Sequence, residues 1–299
     1  PYLMELTRKL PSDEIEIIKE DADTQLIIKG GKLKFECLTM NPNDFTEVEI
    51  VENGYAHFQT TSVIMKDLID NTSYACATDV ARPIFMGTFL DVQHNTMSMV
   101  ATDTHRLALK SASLEKPLET ALQAVIPSRL LAEISRQLPT DIPETVEITA
   151  VRSYLAIKFG NVYIRTRLIE GEFPNYRRVI PTDFQCTLTI DRAAFTGAVE
   201  RASIVAKDAQ YNVINFVITE NEIKLMSQHP DYGTIEDSVP CQMEGEPLDI
   251  SFNGKFILDM LKHCHDDEVV LKLRKNSPML VQDKGQTDCV FVVTPMRTK

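Results

Sequence analysis

Leu3-Met4-Glu5-Leu6-Thr7-Arg8-Lys9-Leu10-Pro11 returns, 128 residues later, as Leu131-Ala132-Glu133-Ile134-Ser135-Arg136-Gln137-Leu138-Pro139. Apolar residues fall at the first, fourth and eighth positions of both copies and a proline closes each, the pattern of a short amphipathic helix. Two further matches keep almost the same offset. Leu26-Ile27-Ile28-Lys29-Gly30-Gly31 corresponds to Leu155-Ala156-Ile157-Lys158-Phe159-Gly160 at 129 residues. Met65-Lys66-Asp67-Leu68-Ile69, followed by Ser73, corresponds to Phe195-Thr196-Gly197-Ala198-Val199, followed by Ser203, at 130. Ile257-Leu258-Asp259-Met260-Leu261 is a weaker echo of the helix. Three segments with nearly one offset predict a chain assembled from repeats of about 130 residues. The repeated helix opens the chain, yet it lies about 75 residues into the second repeat, which starts near Tyr55. The first repeat is therefore expected to lack roughly its first 70 residues. A start at Pro1 rather than Met agrees with a fragment or a processed terminus.

Within a repeat the pattern alternates helix and strands. Val63, Ile64, Leu68 and Ile69 have helical spacing and predict a helix over 60–71. Further helices are expected over 128–138, 191–203 and 254–263. Thr96-Met97-Ser98-Met99 and Asn161-Val162-Tyr163-Ile164-Arg165 alternate as half-buried antiparallel strands do. Each full repeat then holds two helices and two sets of strands, which makes the fold class α+β, with the helices on one face of antiparallel sheets.

The chain has 299 residues, 43% of them hydrophobic and 25% charged, enough for two or three domains with real cores. Its 31 Lys and Arg against 43 Asp and Glu give a net charge of −12. That balance excludes a grip on nucleic acid by the whole surface and leaves a local basic track open. The helical stretches alone carry nine basic and seven acidic residues, so they sum to +2 while the rest carries −14. No apolar run is long enough to span a membrane, and the N-terminus has no signal-peptide pattern, so a cytosolic protein is expected. Six cysteines are scattered without a CxxC, as expected of buried reduced thiols rather than a disulfide framework. Neither GxGxxG nor GxxxxGK[ST] occurs, which disfavours the nucleotide enzymes that use those loops.

Four stretches carry possible chemistry. His263-Cys264-His265-Asp266-Asp267 has metal-ligand residue types, but positions i and i+2 of a helix point apart, so no metal site is expected. Asp103 and His105, within Thr102-Asp103-Thr104-His105-Arg106-Leu107-Ala108-Leu109, are candidates for acid–base work; no nucleophile completes them, and a structural or binding turn is the stronger reading. Glu172-Phe173-Pro174-Asn175-Tyr176-Arg177-Arg178-Val179-Ile180-Pro181 is neither ordinary helix nor strand, and it reads as an interdomain linker that also suits a peptide-binding groove. Val290-Phe291-Val292-Val293-Thr294-Pro295-Met296-Arg297-Thr298-Lys299 is a strand whose apolar tail is expected to dock.

The motifs 102–108, 173–181 and 292–297 resemble those of the bacterial DNA polymerase III β subunit family, the DNA sliding clamps, and the resemblance extends over essentially the whole chain. It implies repeated clamp domains, with helices lining the inside of a ring and antiparallel sheets outside. The domains would be 1–54 (the second half of the first clamp domain), 55–181 and 182–299. It implies a non-catalytic processivity factor of the replicative polymerase, a head-to-tail homodimer when full length, that encircles double-stranded DNA without reading sequence. Short linear motifs of the polymerase III catalytic subunit, clamp loader, repair polymerases and mismatch-repair proteins would dock on it. No cofactor, metal or membrane is implied, and the location would be cytoplasmic and nucleoid-associated.

Residue by residue, the resemblance places the partner-peptide pocket between the second and third domains. Arg82, Phe85, Thr102, Thr104, His105, Arg106 and Leu107 would come from the second domain. Pro174, Arg178 and Val179 would come from the linker. Asn253, Phe256, Val292, Val293, Pro295, Met296 and Arg297 would come from the third domain. Thr104 stands where Gly is usual, Phe85 where an aliphatic residue is common, and Thr294 where Met is common; these departures bear on ligand selectivity. DNA-facing positions would be Thr78, Arg82, Arg129 and Tyr211. The subunit contact would pair Phe35 and Cys37 with Ile204 and Val205. Two other readings remain: a peptide-binding hub that does not encircle DNA in this truncated form, exposing apolar surface that includes parts of 26–28, and an enzyme built on Asp103 and His105.

Overall fold

The computed structural model describes residues 2–11, 14–19, 25–51, 53–206 and 212–297. They form two units, Pro1–Ile50 and Val51–Lys299.

The first unit holds helix α1 (Tyr2–Thr7) and strands β1 (Glu16–Lys19), β2 (Gln25–Gly30) and β3 (Leu33–Leu38), an antiparallel sheet in the order β1-β2-β3. The β2–β3 hairpin turns at Gly31, whose φ of 60° is open to glycine without strain. The helix is shorter than the 3–10 pattern promised, because Leu10 leaves it to cover Gly30. Ile28 is buried, and Leu26 and Ile27 are half-buried, so the strand is better covered than expected; the exposed apolar groups of this unit include Tyr2, Leu3, Met4, Ile17, Leu38 and Phe45.

In the second unit one pattern occurs twice. Its first pass is β4 (Ala56–Thr61), α2 (Ser62–Asp70), β5 (Gly87–Gln93), β6 (Thr96–Thr102), β7 (Arg106–Ser113), β8 (Leu122–Pro127), α3 (Ser128–Gln137), β9 (Thr145–Val151), β10 (Tyr154–Phe159) and β11 (Val162–Arg167). Its second pass is β12 (Cys186–Asp191), α4 (Arg192–Ala206), β13 (Val213–Ile218), β14 (Glu222–His229), β15 (Gly233–Gly245), β16 (Leu248–Asn253), α5 (Gly254–Leu261), β17 (Glu268–Leu273), β18 (Met279–Asp283) and β19 (Cys289–Val293). The β10–β11 hairpin turns at Gly160, φ 49°, the position that Gly31 occupies in the sequence copy.

In the second unit each helix starts where a strand ends; polar caps fix the start of α2, α4 and α5, while α3 follows Pro127 without a side-chain cap. Thr61 Oγ1 accepts the Ile64 N–H, Asp191 Oδ1 that of Ala194, and Asn253 Oδ1 those of Lys255 and Phe256. The expected helices 60–71 and 191–203 are thereby shifted to 62–70 and 192–206, since residues 60 and 61 still belong to β4. The helices pack in pairs, α2 with α3 and α4 with α5. Lys66 Nζ ties the first pair, donating to the carbonyl and hydroxyl oxygens of Ser135 at 2.8 Å.

β4 and β9–β11 form a four-stranded sheet; the other twelve strands form one antiparallel sheet in the order β16-β13-β14-β15-β12-β17-β18-β19-β7-β6-β5-β8. The two passes meet at β19 and β7, paired from Cys289↔Lys110 to Val293↔Arg106. All of β19 and six of the seven residues of β5 are buried, because apolar groups cover both faces of the sheet there. One face carries the cores under the helices. On another, Phe89, Val100, Leu107, Val290 and Val292 are covered by Phe173 and Tyr176 of the strap that leads from β11 to β12. Four cysteines are buried, but Cys37 and Cys241 are only half-buried, and all six thiols are free. No helix among the described residues is long and apolar enough to cross a membrane.

Candidate functional site

The seam between β7 and β19 organises the site. At one end of that pair the turn before β7 and the tail after β19 run side by side: the Thr294 N–H and hydroxyl both donate to the His105 carbonyl at 2.9 Å, and the Met296 N–H donates to the Ser251 carbonyl at 2.8 Å. The tail therefore docks, as its apolar composition predicted.

The turn 102–106 is tied by hydrogen bonds throughout, its apex Thr104 through the backbone N–H. Thr102 Oγ1 donates to the Arg106 carbonyl (2.6 Å) and accepts the Thr104 N–H (3.1 Å), while Asp103 Oδ1 accepts the N–H groups of His105 and Arg106, both at 3.0 Å. The Asp103 carboxylate thus shapes the turn, and the His105 ring stacks on Phe256 at 6.1 Å. Asp103 is thus engaged within the turn and His105 against α5, an arrangement that suits a structural or binding turn.

Arg106 fastens the seam. Its Nε pairs with Asp103 (3.0 Å), one terminal nitrogen with Asp259 of α5 (2.8 Å), and the other donates to the Tyr74 carbonyl (3.3 Å). Its guanidinium lies 4.9 Å from the centre of the Phe256 ring. Burial pushes the Asp259 carboxyl up, but the hydrogen bonds from Arg106 and Lys262 outweigh it and hold its pKa below the usual value. Behind them the Tyr74 ring stacks on His263 at 4.0 Å, and Lys110 bridges Asp67 and Asp288. His263, singled out for its metal-ligand neighbours, is thus part of this joint.

The strap is anchored from below. The buried Asp91 accepts the Tyr176 hydroxyl and an Arg177 N–H on one oxygen, both at 2.9 Å, and the amides of Gln93 and Gln123 on the other. Burial opposes the charge, yet these bonds together lower the Asp91 pKa; burial and the bond to Asp91 push the Tyr176 hydroxyl well above its ordinary value. The Phe173 ring lies flat on Phe89 at 4.8 Å and meets Phe85 edge-on at 6.1 Å.

Between strap and turn lies a cavity of about 200 Å³ lined by Phe85, Thr102, Thr104, Leu107, Phe173, Pro174, Tyr176 and Val179. Six of these eight are among the sequence candidates. Phe173 and Tyr176 were missed, although the alternation of aromatics and prolines in 172–181 was their signal. On the strap's other side Phe173, Pro174 and Tyr176 line a larger groove of about 750 Å³, closed by Gln123 to Val125 and Arg152.

The remaining candidates stand around the cavity or away from it. Pro295 and Met296 are half-buried in the docked tail, Arg297 is exposed, and Val292 and Val293 are buried in β19. Asn253 and Phe256 open α5 beside the turn. Arg178 is exposed on the strap, and Arg82 is exposed just before Phe85. Of the proposed DNA-facing residues, Thr78 and Arg129 are also exposed, and Tyr211 lies outside the described residues. In the first unit the half-buried Phe35 and Cys37 line an apolar depression of about 470 Å³ with Tyr2, Leu3 and Leu6. In the second, Ile204 is exposed and Val205 half-buried on the last turn of α4.

The family model described as the C-terminal domain of the DNA polymerase III β subunit matches residues 177–297, and that of the central domain matches 59–175. The β sliding clamp of Bacillus subtilis is 30% identical over 99% of this chain and 79% of its own length; that of Staphylococcus aureus is 29% identical over 99% and 78%. The crystal structure of the Bacillus subtilis clamp superposes with a TM-score of 0.92, at 29% identity, over all of this chain and 78% of that one. The Pseudomonas aeruginosa β subunit gives 0.91 at 30% identity, over 99% and 81%. With both family models matched over most of its length, the chain belongs to the DNA polymerase III β subunit, or β sliding clamp, family.

Proposed function

We propose that this protein is a non-catalytic processivity factor of a replicative DNA polymerase, acting in the cytoplasm on the nucleoid, and that the cavity between strap and turn receives short peptide motifs of its partners. The polymerase III catalytic subunit, clamp loader, repair polymerases and mismatch-repair proteins are the partners proposed. In this reading 1–54 belongs to a first clamp domain, with 55–181 and 182–299 as the second and third. Two chains pair Phe35 and Cys37 with Ile204 and Val205 and encircle duplex DNA, with Thr78, Arg82, Arg129 and Tyr211 toward it. The charge supports this division of labour: a protein of net charge −12 is poorly suited to hold DNA by electrostatic grip and well suited to a topological hold. Tethering then raises the polymerase's effective concentration at the primer end.

The observation that carries the proposal is the cavity itself. It is apolar, of side-chain size and walled by aromatics, and its described lining comes from the first pass and the strap, beside the β7–β19 pairing. The test is fluorescence anisotropy with a labelled Gln-Leu-Ser-Leu-Phe peptide. Val179 lines the cavity and is 45% exposed, so Val179→Asp places a charge there without disturbing the core. Saturable binding is expected, weakened at least about tenfold by Val179→Asp and several-fold by Met296→Ala. Binding indifferent to Val179→Asp, or no saturable binding by the unaltered protein, would remove the pocket from the proposal.

A further inference from the structure

Thr104, at the apex of the turn, has a φ of +79°. A β-branched residue is strained there, because its Cβ substituents crowd the backbone, whereas glycine adopts the conformation freely. Such strain persists only where the surroundings over-determine the chain. They do so here: Thr102 holds both the Thr104 N–H and the Arg106 carbonyl, Asp103 holds the next two N–H groups, and Arg106 is itself pinned to Asp103 and Asp259. The apex has no route out of the left-handed region without breaking that set. The chain nevertheless carries a branched side chain at this point, and the side chain does no work in the turn, which is closed by residues 102, 103 and 106.

What the side chain does touch is the cavity. Thr104 lines it and is exposed, so it stands at the mouth, as do the exposed Val179 and Pro174 of the strap. The cavity measures about 200 Å³, room for one apolar side chain, and the aromatic walls of Phe85 and Phe173 are locked by their ring contacts. In a space so bounded, single methyl groups decide which side chain is accepted.

We infer that Thr104 is a specificity-determining residue of this cavity, admitting an aliphatic anchor and disfavouring a benzyl anchor on the same peptide. The inference rests on the peptide-pocket reading above. The held backbone keeps the threonine at the mouth, so the selection is steric and built in before the ligand arrives.

The experiment compares two fluorescein-labelled pentapeptides, Gln-Leu-Ser-Leu-Leu and Gln-Leu-Ser-Leu-Phe, on the unaltered protein, Thr104→Gly and Thr104→Ser. The unaltered protein is expected to favour the Leu peptide by about tenfold or more, the lower end of what one methylene group is worth in an apolar pocket. Thr104→Gly should abolish or invert that ratio, and Thr104→Ser, which lacks only the methyl group, should lie between. A rise in Tm on Thr104→Gly would show both that the variant folds and that the strain is released. A Leu-to-Phe ratio unchanged across the three proteins overturns the inference and leaves the pocket standing. Absence of binding by either peptide to the unaltered protein overturns both.

Discussion

At the scale of single residues, Asp91 is the most consequential charge outside the turn. It is buried and bonded four times, and two of those bonds hold the strap. Its folded pKa lies below that of an unfolded aspartate, so its contribution to stability is complete above about pH 3.9 and fades as the pH falls through the lower folded value. Asp91→Asn is expected to cost about 2–3 kcal/mol at pH 7, the worth of hydrogen bonds to a charged group. The deficit relative to the unaltered protein should shrink as the pH falls below about 4 in urea denaturation, because protonation removes from the unaltered protein the charged interaction that the Asn variant already lacks. A deficit that stayed constant with pH would mean that the carboxylate's charge plays no part.

At the scale of elements, the strap and the tail prove to be the same device used twice. The Ile169 N–H donates to the Val125 carbonyl of β8, and the Met296 N–H donates to the Ser251 carbonyl of β16, the corresponding strand of the second pass. Each pass ends by folding its exit segment back onto the terminal strand of its own sheet. In the first pass that segment then continues as the strap, and Phe173 becomes its main apolar anchor. Phe173→Ala should lower stability by about 3–5 kcal/mol through the cavity it leaves, and it should also loosen peptide binding, since the same ring walls the pocket; chemical denaturation and anisotropy on one preparation check both. The sequence made the repeat legible because helices, hairpin glycines and the alternation of strands are local patterns. The strap's composition marked it as special, but Asp91, which holds it, sits in an unremarkable strand segment, Leu90-Asp91-Val92. Only the fold brings that carboxylate under Tyr176, so no reading of neighbours along the chain could find the anchor. The same holds for Arg106: its place in a motif pointed to the pocket, while its three acceptors at the joint come from segments 32 and 153 residues away and from Asp103 beside it.

At the scale of the whole molecule, charge and topology make a joint prediction. Four of the nine cations counted on the helical stretches are paired with carboxylates, Lys66 with Asp70, Arg136 with Glu133, Arg201 with Asp237 and Lys262 with Asp259, which reduces the basic charge available for a tight grip on phosphates. If the proposed ring forms, protein loaded on nicked circular DNA should stay bound through a gel-filtration run in about 0.5 M salt and be lost when the circle is cut, because counterion-dependent binding is suppressed at that salt and only enclosure persists. Loss from circle and linear DNA alike would point to ordinary electrostatic binding.

The β7–β19 ladder also has a mechanical meaning. Five residue pairs cross the junction of the two passes, in a strand buried along its whole length. Antiparallel ladder bonds lie perpendicular to the strands. A force directed along these strands loads all of the bonds at once, as in shear, whereas a force across them opens one pair after another, as in a zipper. A tether gripped at the strap while its other end is pulled along the sheet would therefore be stiff in one direction and compliant in the other.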